Sequence, residues 1–104
     1  MLFALIMEVS ALYGIPANHL VNIVRIETQG RNIIRVRKSG ITTGYTQLLL
    51  RYPINPWHLL HVSNARNNLT VLAEFLKRYP IDCSKERHRW NWGSKKWLRR
   101  VCKQ

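Results

Sequence analysis

The chain has 104 residues and a formal net charge of +12, with 17 Lys and Arg against five Asp and Glu. That length suits one domain over residues 1–104 and leaves no room for a second sizeable core, and no apolar run reaches the roughly 18 residues that span a membrane. The charge points to a polyanionic neighbour: nucleic acid, an anionic membrane surface or an anionic cell-wall polymer.

Leu2, Leu5, Ile6, Val9 and Leu12 recur at helical spacing and predict an amphipathic first helix. No basic segment precedes it and Glu8 interrupts it, so the N-terminus does not read as a signal peptide. Gly14 stops this helix, and Pro16 opens a second, since a missing N–H costs nothing in a first turn. Leu20, Ile23, Val24 and Glu27 then share a face by i, i+3, i+4, i+7 spacing. A carboxyl on that face is partly desolvated, and its pKa is expected to rise. Glu27 is also the only carboxylate between Glu8 and Glu74.

Gly30 is expected to end the second helix. Arg31 to Thr43 reads as an irregular loop or short hairpin, rich in β-branched and basic side chains. Thr46 to Tyr52 is predicted as a short helix, followed by a connector punctuated by Pro53 and Pro56. Ser63 is the expected cap of a long helix through Arg78, with Ala65, Leu69, Leu72, Ala73 and Leu76 inward, and Pro80 follows its end. Ser84 is expected to cap a further helix ending near Gly93, and Ser94 a last one burying Trp97, Leu98 and Val101. This terminal segment carries Lys85, Arg87, Arg89, Lys95, Lys96, Arg99, Arg100 and Lys103 against one acid, Glu86. Cys83 and Cys102 match no CxxC motif. They are either two thiols or a disulfide, which would imply an oxidising compartment. His19, His58, His61 and His88 have no base-like partner in sequence, and no metal-ligand set is evident. The fold class predicted is mainly α, with a small loop or hairpin lobe.

An acid ending an apolar helix is followed by Gly44-Tyr45-Thr46-Gln47, then Asn64 opening a long helix, then Trp90-Asn91-Trp92-Gly93. These elements in this order resemble a lytic transglycosylase of the soluble kind, with a catalytic domain similar to goose-type lysozyme. The resemblance runs roughly from Ala11 to Val101 and implies a lysozyme-like fold. Glu27 takes the position of the catalytic acid, with Thr28 where Ser is usual. Ser39 stands before the glycine stretch, Gly44, Tyr45 and Gln47 match that stretch, and Trp90, Asn91 and Gly93 match the closing motif. Asn68 and Val71 replace the Gly and Tyr of the long helix, Ile41-Thr42 replaces Gly-Ala, and Trp90 replaces Tyr.

The resemblance implies cleavage of the MurNAc–GlcNAc bond of peptidoglycan by a single Glu acid/base, giving 1,6-anhydro-muramyl ends without cofactor or metal. It assigns substrate contacts to Ser39, Tyr45, Gln47, Trp90 and Asn91. Ser39 would orient Glu27, and Arg31, Arg35, Arg37 and Lys38 would meet peptide-stem carboxylates or other wall anions. The expected partner is a peptidoglycan glycan strand met by a monomer in the periplasm or cell wall, or after phage delivery. A hydrolytic muramidase and a catalytically degenerate glycan-binding module are the alternatives. A basic nucleic-acid binder would explain the charge but not the ordered Glu27, Gln47 and Asn91, so no nucleic-acid partner is expected.

Overall fold

A computed structural model describes residues 2–103. Five helices and a three-stranded antiparallel sheet make a mainly helical fold. In chain order these are α1 (Leu2–Tyr13), α2 (Ala17–Thr28), β1 (Ile34–Val36), β2 (Gly40–Thr43), β3 (Leu48–Arg51), α3 (Pro56–Ser63), α4 (Ala65–Arg78) and α5 (Lys95–Val101). A single 3-10 turn, Arg89–Asn91, lies between α4 and α5.

The helical body is built by apolar burial. α1 packs on α2 and α4, and α2 packs on α5. Ile6 and Val9 of α1, Leu20, Ile23 and Val24 of α2, and Leu69, Leu72, Ala73 and Leu76 of α4 form one core with Trp97, Leu98 and Val101 of α5. Removing such side chains from water is the main favourable contribution to this half of the molecule. Leu12 departs from the expected face and stays 68% exposed. No helix among the described residues is long and apolar enough to cross a membrane.

Helix boundaries follow the local chemistry, with three shifts from the sequence expectation. α1 ends where Gly14 takes a φ of +66°, a conformation that costs glycine nothing. α2 is closed one residue earlier than Gly30, by Gln29 in the left-handed region, whose N–H donates to the Arg25 carbonyl. α4 is capped by Asn64, whose side chain accepts from the Asn67 N–H. Ser63 instead ends α3, its hydroxyl taken up by the Leu59 carbonyl and the Thr43 hydroxyl. α3 itself was not foreseen. Asn55 caps it by accepting from the Trp57 and His58 N–H groups, with Pro56 in its first turn.

The lobe read as a loop or hairpin is a sheet of order β1-β2-β3. Ile34 pairs with Thr43, and Thr43 with Leu48. The helix predicted over Thr46 to Tyr52 is therefore strand β3. Gln47 has a φ of +54°, which breaks any helix there, and Leu48–Arg51 are taken into the ladder of β2. Gly40 faces Arg51 so closely that a Cβ would sit 1.9 Å from the Leu50 carbonyl oxygen. The helix expected after Ser84 is absent as well. Asp82 accepts from the N–H and hydroxyl of Ser84 in a turn, and His88 caps the 3-10 turn through its Nδ1, which accepts from the Trp90 N–H. Ser94 does cap α5, accepting from the Trp97 N–H. Cys83 and Cys102 are joined in a disulfide that ties the segment before the 3-10 turn to the end of α5.

Candidate active-site cleft

Three parts of the chain meet at an open cleft of about 490 Å³: the last turn of α2, the sheet, and the segment from the 3-10 turn through α5. Its wall includes Ile26 and Glu27 from α2, Arg35, Arg37, Thr42, Gln47 and Leu49 from the sheet lobe, and Trp90, Asn91, Ser94, Trp97 and Arg100 from the C-terminal segment. Glu27 is the one carboxylate among these lining residues. The helical face that carries Leu20, Ile23 and Val24 into the core delivers Glu27 half-buried at its edge.

Burial pushes the Glu27 carboxyl above its ordinary value, while the Arg35 and Arg37 guanidinium groups and the Trp97 indole N–H pull it back down. Desolvation is the larger influence, so the net direction is upward. The Trp97 Nε1–H is buried and meets no acceptor at full hydrogen-bond geometry. It nevertheless lies within reach of the Glu27 carboxyl and favours its ionised form. The result is an acid that retains its proton to higher pH than a solvated glutamate, in a cleft wide enough to admit a ligand.

Gln47 lines the cleft, but its amide is fully engaged inside the protein. Its Nε2 donates to the carbonyls of Ile33 and Gly44, and its Oε1 accepts from the Arg35 Nη1 and the Thr42 hydroxyl. With both donors and both acceptor sites used, its evident task is to hold the sheet lobe and to fix Arg35. Arg35 Nη1 also reaches the Glu27 carbonyl, so Gln47 and Arg35 together clamp the sheet to the end of α2.

Trp90 and Asn91, which the resemblance gave as substrate contacts, line the cleft. The Trp90 indole N–H donates to the Thr46 carbonyl, and its ring meets Phe75 edge-on at 5.3 Å between centroids. Its position is thus set from behind by α4. Asn91 is half-buried and makes no side-chain hydrogen bond among the described residues, which leaves its amide available to a ligand.

Two sequence-predicted contacts are not brought to the cleft. Ser39 is exposed in the β1–β2 turn, where its carbonyl accepts from the Tyr52 N–H; it does not line the cleft with Glu27. Tyr45 packs against the core, and its carbonyl accepts from the Thr28 hydroxyl. It pins the sheet lobe to α2 and offers no ring to the cleft. Of the four basic residues expected near an anion, Arg35 and Arg37 face the cleft. Arg31 turns back to the Thr28 carbonyl, and Lys38 is exposed outside the cleft wall.

Arg100 lines the cleft without having been singled out, Thr42 was noted only as a departure from the resemblance, and Trp97, predicted as core alone, also reaches it. The signal for Arg100 was its i+3 spacing from Trp97 on a helix, which puts one beside the other. That spacing acquires meaning only once α5 is seen against α2. Asn68, read as a mere replacement, is fully buried and joins three segments. Its Nδ2 donates to the Thr43 and Val62 carbonyls, and its Oδ1 accepts from the Thr46 N–H and hydroxyl. Gly44 must be glycine beside it, since a Cβ there would meet the Asn68 amide at 2.3 Å and φ is +81°.

Among the described residues no group of three or more His, Cys, Asp or Glu could hold a metal ion. His88 is buried and serves structure: its Nε2 is 2.6 Å from the Tyr79 carbonyl oxygen, and its ring stacks on Trp97. No family model, curated protein or solved structure matches the chain.

Proposed function

We propose that the chain is a glycan-strand-cleaving enzyme with a lysozyme-like fold, a lytic transglycosylase of peptidoglycan, with Glu27 as its single acid and base. The observation that carries this reading is one half-buried carboxyl, its pKa raised by burial, standing alone in an open cleft. A raised carboxyl pKa is what general-acid chemistry needs near neutral pH. A second carboxylate, required by most glycosidases, is missing from the cleft wall, which favours a mechanism that uses the substrate's own groups, as in substrate-assisted glycosidases.

In that mechanism the protonated Glu27 donates to the glycosidic oxygen as its bond to the anomeric carbon breaks. The neighbouring N-acetyl group stabilises the developing positive centre. The sugar's 6-hydroxyl then attacks the anomeric carbon and gives its proton to the Glu27 carboxylate. A 1,6-anhydro ring forms, the acid is restored and no water is consumed. Trp90 offers a flat apolar edge to a sugar ring, and the Asn91 amide is free to meet an N-acetyl or hydroxyl group. The Cys83–Cys102 disulfide suits work in an oxidising space such as a periplasm or cell wall.

A second reading has its own support. The engaged amide of Gln47, and the distance of Ser39 and Tyr45 from the cleft wall, leave fewer substrate contacts than the resemblance implied. A glycan-binding module without catalysis needs no more than Trp90, Asn91 and the arginines. Digestion of purified peptidoglycan with mass spectrometry of the fragments separates the two. Anhydro-muramyl products that fall by roughly 10²–10⁴-fold in Glu27→Gln, the usual worth of a general acid, support the enzyme. Hydrated reducing ends indicate a muramidase. Retention on insoluble peptidoglycan without either product indicates the module.

A further inference from the structure

The arginines of the cleft differ in what they already hold. Arg35 is engaged with the Glu27 carbonyl and the Gln47 amide. Arg37 uses its Nε on the Thr42 hydroxyl, which leaves both terminal nitrogens without a protein partner. Arg100 makes no side-chain hydrogen bond among the described residues, and the one ion pair found among them is Glu8–Arg66, on another face. Two guanidinium groups from separate segments, the β1–β2 turn and α5, therefore line one cleft with free donors.

With Glu27 as the one carboxylate among the lining residues, against Arg35, Arg37 and Arg100, the cleft carries an excess of positive charge, and a concave site of one sign attracts an anion. A guanidinium fork matches a carboxylate in shape and charge and binds it through short, charge-assisted hydrogen bonds. We infer that Arg37 and Arg100 form an anion subsite beside Glu27, which takes a carboxylate carried by the bound saccharide, and that filling this subsite favours the protonated acid. The inference rests on the proposed reading for its saccharide, and on the cleft alone for its anion.

The coupling follows from the charges that face Glu27. These are Arg35 of β1 and Arg37 of the β1–β2 turn, with the uncharged Trp97 indole of α5; Arg100 of α5 lines the same cleft. The lining residues of α2, β2, β3 and the 3-10 turn add none. Arg37 is one of the two cations that hold the Glu27 carboxyl down against burial. A ligand carboxylate seated on Arg37 cancels that cation and places a negative charge near Glu27. Burial is then opposed by less, and the acid holds its proton more tightly. Linkage makes the effect reciprocal: protonation of Glu27 must tighten anion binding by the same factor. Arginine does not titrate in the accessible range, and protonation of the ligand's own carboxylate would loosen binding, so a tightening as pH falls reports Glu27. An acid that loads its proton as a charged saccharide arrives would act only on that saccharide, which makes the two arginines determinants of specificity as well as affinity.

The test uses the full chain labelled with ¹³C at glutamate carboxyls, with Glu27→Gln to identify the Glu27 signal. Its titration is followed without ligand, with N-acetylmuramic acid, and with the methyl ester of that sugar, which is the same molecule without the charge. The acid is expected to raise the Glu27 midpoint by about one pH unit, and the ester to leave it near its free value. Binding of the acid should then tighten about tenfold as pH falls through the midpoint, the same factor seen from the other side. Arg37→Gln and Arg100→Gln should each reduce the acid-specific shift; both side chains are exposed, and an unchanged amide spectrum will verify that the variants fold. Equal shifts with acid and ester, no shift with the acid at tens of millimolar, or full shifts in both variants overturn the subsite. Peptidoglycan digestion distinguishes this from failure of the functional reading. An acid-specific shift without cleavage keeps the subsite and removes the enzyme, whereas cleavage without discrimination keeps the enzyme and removes the subsite.

Discussion

In the helical body Leu20, Ile23, Leu69 and Leu72 are wholly buried and Trp97 nearly so, whereas no apolar side chain between Val24 and Val62 is buried in the sheet lobe. The buried groups of that lobe are Thr43, Thr46 and Gln47, and with them Asn68 from α4. One region is closed by the exclusion of water from hydrocarbon. The other is closed by a few amides and hydroxyls whose donors and acceptors are all matched. The two kinds of cohesion fail differently: a truncated core side chain leaves a cavity, while a truncated amide leaves orphaned backbone groups. Glu27 lies on the seam between them, with its helix in one region and its Arg35 and Arg37 neighbours in the other.

Leu69 and Asn68 are adjacent on α4 and enter opposite regions, so they test this contrast most directly. Leu69→Ala should give the larger effect, about 3–4 kcal/mol of lost stability from the cavity it opens. For a domain of this size that is a fall in melting temperature of roughly 12–25 °C, seen as one cooperative transition. A loss under about 1 kcal/mol would mean that the core collapses around the gap, and that burial there is less specific than the contrast requires.

Asn68→Ala should cost about 2–3 kcal/mol, because the Thr46 N–H and the Thr43 and Val62 carbonyls lose their partner. Its signature is local. Amide exchange in β1–β3 should speed up most, while the slowest amides of α2 and α4 are hastened only by the global loss of stability. Asn68→Leu sharpens the contrast further: it restores bulk and hydrophobicity but no hydrogen bond. Equal or greater loss than with alanine is expected, and rescue by leucine would place the sheet lobe under the same physics as the helices.

This contrast also decides how much the sequence could reveal. Burial leaves a periodic trace, so α1, α2, α4 and α5 were legible, and Glu27 could be set on an inward face from Leu20, Ile23 and Val24 alone. An amide network leaves no such trace, because the carbonyls that Gln47 and Asn68 reach belong to segments up to 25 residues away. Leu48-Leu49-Leu50 suits a helix as well as a strand, and pairing with β2 made the choice. Ser39 and Tyr45 were assigned as substrate contacts by the resemblance, and a match to a linear motif does not fix a side chain's direction across a turn. Trp90 and Asn91 were assigned by the same resemblance and line the cleft. Arg100 needed the packing of α5 on α2 before its position meant anything.

The smallest expected effect concerns the seam itself. Burial raises the folded-state pKa of Glu27 above its ordinary value of 4.5. A group shifted this way binds more protons in the folded chain than in the unfolded chain at intermediate pH, so stability must fall as pH rises. The contribution is fully present below pH 4.5, where both states are protonated, and is lost as pH climbs through the raised folded value. Above that value the ionised carboxyl is a standing cost, moderated by water in the open cleft. Glu27→Gln removes the charge while keeping the shape. Its stability relative to the native chain should therefore improve as pH rises from below 4.5 and level off above the raised folded-state value, measured by denaturant unfolding across a pH series. A difference that stays constant would mean that Arg35, Arg37 and the Trp97 N–H balance desolvation. A difference of the opposite sign would mean that they outweigh it, leaving an ionised carboxylate, held by the sheet lobe, that has no proton to donate.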